Sequence, residues 1–404
     1  MESNNPPKVQ SIRRSNEPPL IRYLMSKAGR TGTPISGTFE LTPRCNFDCK
    51  MCYVHLTKGQ QTERGRELSA DQWLSLGETA AKNGLLMLLL TGGEPLLRPD
   101  FIEIFEGLKK LGIMISINTN GSLLDDDMLS YFKHNPPYKF NISLYGASEE
   151  TYERLCGNGA GFRKTVHALK TLKEYGITAK VNLSITQYNA SDVEGIYAIT
   201  DDIGLHVQAA SYMFPPMRRS HDLIGCGDRF TSDESAEMKF RLNLLRMDDE
   251  RFMALGKSMI DGVRVLGEDD ECLDVPTAEE LTPSEHIRCR AGLCTFWLTW
   301  DGRMLPCGMM ETPSCSVLDL GFSEAWKRTH EATKSIFMPP KCTSCDKRFA
   351  CDVCGASVYT ETGAFDGEPP KYICNLTEKY MKLVLDEYNR RLALTGAENS
   401  GKSK

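Results

Sequence analysis

Residues 36–233 alternate between short apolar runs and longer amphipathic segments. The short runs predict strands, and the amphipathic segments, one of which opens with a capping box at Ser69–Gln72, predict helices. Each strand except the last precedes a helical segment, which predicts an α/β fold: a parallel sheet curved into a partial (β/α)6 TIM-like barrel. The predicted strands are Gly37–Thr42, Leu85–Thr91, Ile113–Thr119, Lys139–Leu144, Thr178–Ile185 and His206–Tyr212.

The pattern changes on both sides of this unit, and the changes define the predicted domains. We expect an N-terminal arm, the partial barrel, a helical and acidic connector, a C-terminal cysteine-rich domain and a tail. Their bounds are 1–35, 36–233, 234–288, 289–385 and 386–404, respectively. The arm is too short for a domain with its own core.

Charge and hydropathy narrow the range of partners. The formal net charge of −6, without a basic block ahead of the last residues, argues against a nucleic-acid partner. Apolar runs fall well short of the roughly 20 residues that span a bilayer. The N-terminus lacks the pattern of a signal peptide. These features predict a cytoplasmic protein that does not bind nucleic acid or a membrane.

Cysteine is the unusual residue in the composition. The chain has 15 cysteines, with three in residues 45–52 and nine in residues 289–374. Clustered cysteines in a chain without a signal peptide indicate metal binding more than disulfides. So many thiols that can bind metal favour a reducing, anaerobic setting.

Cys45, Cys49 and Cys52 directly follow the first predicted strand, with C-x3-C-x2-C spacing. Three thiolates on one loop can bind three irons of a [4Fe-4S] cluster. The fourth iron then has no protein ligand and can bind the amine and carboxylate of a small molecule. The alternative is a zinc site, for which His55 could supply the fourth ligand.

This motif, placed after the first barrel strand, resembles that of the radical S-adenosylmethionine (radical SAM) superfamily. The resemblance implies that the open iron binds S-adenosylmethionine, and that one-electron reduction cleaves it to a 5′-deoxyadenosyl radical. It also implies a flavodoxin- or ferredoxin-type electron donor. Barrel active sites lie at the carboxyl ends of the strands, where this loop falls.

Further motifs of the family follow in order. Thr91–Pro95 ends the second predicted strand and matches the GGE motif, although alone it is only a turn. The resemblance places Gly92, Gly93 and Glu94 at the amino group of the cofactor. It implies that Met51 packs on the adenine, that Asn120 and Ser143 line the ribose and adenine side, and that Arg154, or alternatively Arg163, pairs with the carboxylate. No catalytic base is assigned.

The C-terminal cysteines resemble those of the SPASM domain, which carries auxiliary [4Fe-4S] clusters. The intervals from Cys289 to Gly302 and from Gly302 to Cys307 fit that pattern, whereas Cys351 and Cys354 are one residue too close. The resemblance implies two auxiliary clusters. The outer one would use Cys342, Cys345, Cys351 and Cys374, and the inner one Cys289, Cys307, Cys354 and, as the fourth ligand, Cys294.

Two points stay open about these cysteines. If Cys294 is not a ligand, the inner cluster has an iron that could bind a substrate thiolate. The two C-x2-C pairs, taken alone, are also compatible with a zinc ribbon.

The resemblance fixes the type of chemistry better than the substrate. The first hypothesis is an oxidoreductase that matures a ribosomally made peptide, by a crosslink such as a thioether or by oxidation. The second is an anaerobic sulfatase maturase, but such enzymes carry an aspartate where this chain has Gly308. The third is a haem-pathway or other small-molecule enzyme. A non-catalytic zinc-binding protein is the alternative from a different class.

Overall fold

The computed structural model describes residues 18–263, 289–365 and 367–401. Six parallel strands in sequential order form the wall of a partial barrel, which confirms the predicted fold class. They are β1 (Ser36–Glu40), β2 (Met87–Thr91), β3 (Met114–Thr119), β4 (Lys139–Ser143), β5 (Ala179–Ser184) and β6 (Val207–Ala210).

Helices cover the outside of this sheet and extend into the C-terminal region. In chain order they are α1 (Pro19–Thr31), α2 (Lys58–Arg64), α3 (Ala70–Lys82), α4 (Phe101–Lys110), α5 (Asp126–His134), α6 (Glu149–Cys156), α7 (Gly161–Glu174), α8 (Val193–Ile203), α9 (Ser232–Arg246), α10 (Asp249–Asp261), α11 (Val317–Lys334), α12 (Pro340–Thr343), α13 (Gly355–Thr362) and α14 (Lys371–Gly401). Short 3₁₀ segments occur at Pro95–Leu97, Ala190–Asp192 and His221–Leu223.

The cysteine-rich region continues the sheet of the barrel. Strand β7 (Thr295–Leu298) pairs in parallel with β1, so that Ser36 lies opposite Thr295. Strands β8 (Arg303–Leu305) and β9 (Cys315–Ser316) then add in antiparallel orientation. The resulting sheet has nine strands in the order β6-β5-β4-β3-β2-β1-β7-β8-β9.

Three apolar cores stabilise the parts that carry the site. The largest lies between the sheet and its helices and contains Phe39, Trp73 and Phe105. A second core, which includes Met217 and Val358, lies under the C-terminal cysteines. A third joins α9, α10 and α14. Helix α14 is continuous across position 386, the predicted start of the tail. In the described part of the chain, no helix combines the length and apolar character needed to cross a membrane.

Candidate active site

The three cysteines of the first motif lie on the loop that leaves β1 at the carboxyl end of the sheet. The loop folds back on itself, because the amide of Cys52 donates to the carbonyl oxygen of Cys49 at 3.0 Å. The amide of Phe47 donates to Cys45 Sγ at 3.4 Å, and the amide of His55 to Cys52 Sγ at 3.3 Å. Such N–H···S bonds stabilise thiolates that bind iron–sulfur clusters.

Burial makes these thiols costly to ionise without a metal. It is the main cause that raises the pKa of Cys45 and of Cys52, whereas a hydrogen bond with the Cys156 thiol contributes most to the raised pKa of Cys49. A cation that binds all three sulfurs removes this cost. Three soft sulfur donors on one buried loop therefore fit a [4Fe-4S] cluster. The imidazole of His55, the fourth ligand under the zinc alternative, contacts Asp48 at 3.2 Å.

The C-terminal end of α6 braces the same loop. The amide of Asp48 donates to the carbonyl oxygen of Cys156 at 2.8 Å, and the amide of Lys50 donates to that of Leu155 at 3.1 Å. These bonds satisfy carbonyl groups at the end of the helix, which have no partner within it. They also hold Cys49 against the fully buried Cys156.

The Gly-Gly-Glu segment after β2 packs directly on the cysteine loop. The amide of Gly93 donates to the carbonyl oxygen of Thr42 at 2.7 Å, and the amide of Glu94 donates to that of Arg44 at 2.8 Å. A Cβ atom on Gly93 would lie 2.3 Å from the carbonyl oxygen of Arg44. Glycine is thus required at position 93 because two backbones meet there.

The carboxylate of Glu94 is fully buried and bonded within the protein. It accepts hydrogen bonds from the amide of Asn120 (2.8 Å), the hydroxyl of Thr119 (2.8 Å) and the amide of Leu96 (3.1 Å). Burial raises the pKa of Glu94 to about 7, although these three bonds oppose the shift. The side chain joins the GGE segment to the end of β3.

Of the other predicted cofactor contacts, Met51 is part of the cluster loop itself, and this loop is also contacted by Asn120. Its amide nitrogen lies 3.9 Å from Cys45 Sγ and 2.9 Å from Asn46 Oδ1. Met51 is half-buried against the main core, and Ser143 is half-buried at the end of β4.

The two candidate arginines are both bonded to the protein. The guanidinium of Arg154 donates to the carbonyl oxygen of Tyr188 through Nε (3.1 Å) and Nη2 (2.8 Å). Arg163 forms an exposed ion pair with Glu149 at 2.5 Å. Both contacts are made within the protein, so the pairing of either arginine with the carboxylate of S-adenosylmethionine stays a prediction.

Polar side chains that the motif analysis missed lie along β3, β4 and β5. Asn141 donates to Asn118 Oδ1 at 2.7 Å, and Lys180 donates to Gln208 Oε1 at 2.7 Å. The Oδ1 atoms of Asn141 and Asn182 are buried without a hydrogen-bond partner. Alternate residues of a strand share a face, so these residues line the wall of the barrel opposite the helices. The sequence carried the signal, because polar residues alternate with apolar ones in both β4 and β5.

Four of the C-terminal cysteines surround one cavity of about 200 Å³. They are the four predicted outer ligands: Cys342, Cys345, Cys351 and Cys374. Burial, and then the neighbouring thiols, raise the pKa of Cys342 to about 11. Within the described ranges, no set of three or more His, Cys, Asp or Glu side chains converges closely enough for a single metal ion. Four thiols around one cavity match the four cysteine ligands that a [4Fe-4S] cluster takes.

The predicted inner ligands separate into two groups. Cys289, Cys307 and Cys354 all pack at the edge of the second core. Cys294 is 1% exposed and packs with Met25, Ala28 and Ile35 below α1. Three of the four predicted ligands thus contact the same core, and Cys294 lies in another apolar cluster.

Comparison with known proteins agrees with this architecture. Residues 39–198 match the family model of the Radical SAM superfamily. An AdoMet-dependent heme synthase from Methanosarcina barkeri is 23% identical over 352 residues, which cover 84% of this chain and 96% of that protein. The sporulation killing factor maturation protein SkfB from Bacillus subtilis is 30% identical over 163 residues, 40% of this chain and 38% of SkfB.

Two solved structures share the fold at low sequence identity. Streptococcus suis SuiB bound to S-adenosylmethionine has a TM-score of 0.59 and 15% identity, and the match covers 83% of this chain and 77% of SuiB. The protein anSMEcpe with bound AdoMet has a TM-score of 0.61 and 17% identity, with coverage of 88% and 100%.

The barrel, the three-cysteine loop and the family match over residues 39–198 together define the class: this part of the chain is a radical SAM domain. Its cofactors are a [4Fe-4S] cluster and S-adenosylmethionine.

Proposed function

We propose that this enzyme oxidatively modifies a ribosomally made peptide, using two auxiliary [4Fe-4S] clusters in its cysteine-rich region. The observation that carries the proposal is the cavity surrounded by Cys342, Cys345, Cys351 and Cys374. A cluster with four cysteine ligands has no open iron and suits electron transfer. Such a cluster can accept the electron that a substrate loses after a hydrogen atom has been removed.

The structural neighbours support a peptide as the substrate. SuiB has been solved with its precursor peptide SuiA, and anSMEcpe with the Cp18Cys peptide. Their TM-scores against this chain are 0.60 and 0.61. We extend the peptide substrate from those proteins to this one as part of the proposal.

The residues of this chain would have distinct roles. Cys45, Cys49 and Cys52 would hold the catalytic cluster, which supplies the electron that cleaves S-adenosylmethionine. Gly92 and Gly93 would lie along the methionine end of that cofactor. Met51, Glu94, Asn120, Ser143 and Arg154 are the further proposed contacts. A flavodoxin- or ferredoxin-type protein would deliver the electron.

Co-expression tests this proposal. The enzyme is produced anaerobically with each short open reading frame encoded near its gene, and the peptides are analysed by mass spectrometry. We expect one peptide to lose two hydrogen atoms in a crosslink or an oxidised residue. The matched control is the Cys45→Ala variant, which should leave the same peptide unchanged. An unmodified set of peptides with an active enzyme, as judged by 5′-deoxyadenosine release, would contradict the proposal.

A second candidate is oxidative chemistry on a haem precursor. It is favoured by the match to the heme synthase, which extends over 96% of that protein. Here the enzyme would convert a carboxylate-bearing porphyrin, and the measurement is haem formation by absorbance. Formylglycine formation is disfavoured, because position 308 carries glycine.

A further inference from the structure

Arg218 forms a buried ion pair where the barrel meets the cysteine-rich region. Its Nη1 and Nη2 atoms donate to the two carboxylate oxygens of Glu40 at 2.8 and 2.9 Å. Arg218 is 7% exposed and Glu40 is fully buried at the end of β1. Nη1 also donates to the carbonyl oxygen of Gly308 at 2.9 Å. Gly308 directly follows Cys307, one of the predicted inner ligands, so the guanidinium lies beside that part of the loop.

One donor of this guanidinium has no acceptor among the described residues. The Nε atom of Arg218 is buried and makes no hydrogen bond. A charged donor left without an acceptor in a protein interior is destabilising. A guanidinium commonly presents Nε together with a terminal nitrogen to an anion. The geometry therefore calls for an anionic acceptor on the Nε side.

The surroundings indicate which anion this is. Arg218 contacts the loop of Cys307 directly, because its Nη1 atom donates to the carbonyl oxygen of Gly308. Cys307 is a predicted ligand of the inner cluster, and a cluster bound by thiolates is anionic.

The neighbouring Arg219 contacts the loop that carries the catalytic cysteines. Its Nη1 atom donates to the carbonyl oxygen of Cys52 at 3.1 Å. Arg64 of α2 fixes both residues, since its terminal nitrogens donate to the carbonyl oxygens of Arg218 and Arg219 at 2.6 Å each. Residues 218–219 consequently form a bonded bridge from the Cys52 loop to the Cys307 loop.

We infer that Arg218 donates its Nε–H to a sulfur of the inner auxiliary cluster, and that Glu40 moderates the positive charge beside it. This inference rests on the proposed function, because it needs that cluster. Clusters bound by thiolates carry net negative charge, and hydrogen bonds to their sulfurs raise the reduction potential. Arg218 accordingly makes the inner cluster a better electron acceptor.

The test is a redox titration followed by electron paramagnetic resonance. It uses the full chain with Cys45, Cys49 and Cys52 changed to alanine, so that only auxiliary clusters remain. The signal that disappears on adding Cys307→Ala identifies the inner cluster. Its midpoint potential is then measured after Arg218→Gln, after Glu40→Gln and after both changes together. Arg241→Gln, at an exposed ion pair with Glu194, is the matched control.

We expect shifts of opposite sign. Arg218→Gln should lower the midpoint potential, Glu40→Gln should raise it, and Arg241→Gln should leave it unchanged. A single substitution leaves one buried charge unpaired and can prevent folding. The double variant removes both charges and also the Nε–H, so its potential should still fall below that of the parent.

Two failures are distinguishable. If Cys307→Ala removes no signal, the inner cluster and that part of the proposed function are wrong. If the signal is present and its midpoint potential is the same in the parent and the double variant, the inference about Arg218 is wrong. That result is expected if the Nε–H of Arg218 binds a substrate carboxylate instead of the cluster.

Discussion

The indole ring of Trp297 lies directly against Gly308. A Cβ atom on Gly308 would be 2.7 Å from both Cδ2 and Cε2 of that ring. The ring has little room to move, because its Nε1–H donates to Glu40 Oε2 at 2.8 Å. Trp297 therefore restricts position 308 to glycine, the position where the sulfatase maturases, by resemblance, carry aspartate.

Substitution of Gly308 should destabilise the protein without creating a new activity. Overpacking in a well-packed region costs about 1–3 kcal/mol. We expect Gly308→Ala and Gly308→Asp to lower the thermal unfolding midpoint, and Gly308→Asp to give no formylglycine on a sulfatase peptide. Gly29→Ala is the control, since a Cβ there meets no atom within 4 Å. Equal midpoints for Gly308→Ala and the parent would refute the packing argument.

Loss of any cysteine of the first motif should abolish cleavage of S-adenosylmethionine. Cys45→Ala, Cys49→Ala and Cys52→Ala should each remove about four irons per chain and stop 5′-deoxyadenosine formation, while the auxiliary iron stays bound. Iron analysis and chromatography of the nucleoside measure both effects. Cys226→Ala, which changes an exposed thiol, should have no effect. Cleavage that persists in one of the three variants would remove that cysteine from the site.

Substitutions around the four-thiol cavity should separate cofactor cleavage from product formation. Cys342→Ala or Cys374→Ala should remove about four irons yet leave 5′-deoxyadenosine formation intact. Turnover of the peptide should fall, because the electron that leaves the substrate no longer has a cluster to accept it. Cys315→Ala on β9 is the matched control. Unchanged product yield in Cys342→Ala would show that this cluster has no part in the reaction.

Glu94 should make stability depend on pH in a defined direction. Its pKa is raised to about 7 in the folded chain, against about 4.3 in an unfolded one. Between these two pH values, Glu94 is protonated in the folded chain and ionised in the unfolded chain. The free energy of unfolding therefore falls by up to about 1.4 kcal/mol per pH unit as the pH rises through that window. The stability contributed by protonated Glu94 is fully present below about pH 4.3 and is lost as the pH rises to about 7.

The measurement is the difference in unfolding free energy between the parent and Glu94→Gln at several pH values. Other titrating groups cancel in this difference, which isolates Glu94. A difference that does not change between about pH 4.3 and pH 7 would show that Glu94 stays ionised in the folded protein.

The barrel could be predicted from sequence because its signals are local. The third strand was expected at Ile113–Thr119 and is observed at Met114–Thr119. Each catalytic cysteine lies within a few residues of the next, so spacing alone placed them together. Cys374 joined its distant partners only through the resemblance to a known cysteine pattern, and the four-thiol cavity now brings these residues together.

Contacts between distant segments could not be predicted from the pattern of apolar and polar residues. Arg218 and Glu40 are 178 residues apart, and neither belongs to a motif. Strands β7, β8 and β9 are too short to show a period. The resemblance implied Cys294 as an inner ligand, and that assignment stays a prediction. Its burial among the apolar residues below α1 could not be read from the spacing of the cysteines.

The continuous nine-strand sheet has a mechanical consequence. Since β7 is hydrogen-bonded to β1 along Ser36–Phe39, the cysteine-rich region is fixed to this edge of the barrel sheet by backbone hydrogen bonds. Heating should then melt both regions in a single cooperative transition. In the proposed mechanism, these backbone hydrogen bonds help to set the distance between the catalytic loop and the auxiliary clusters.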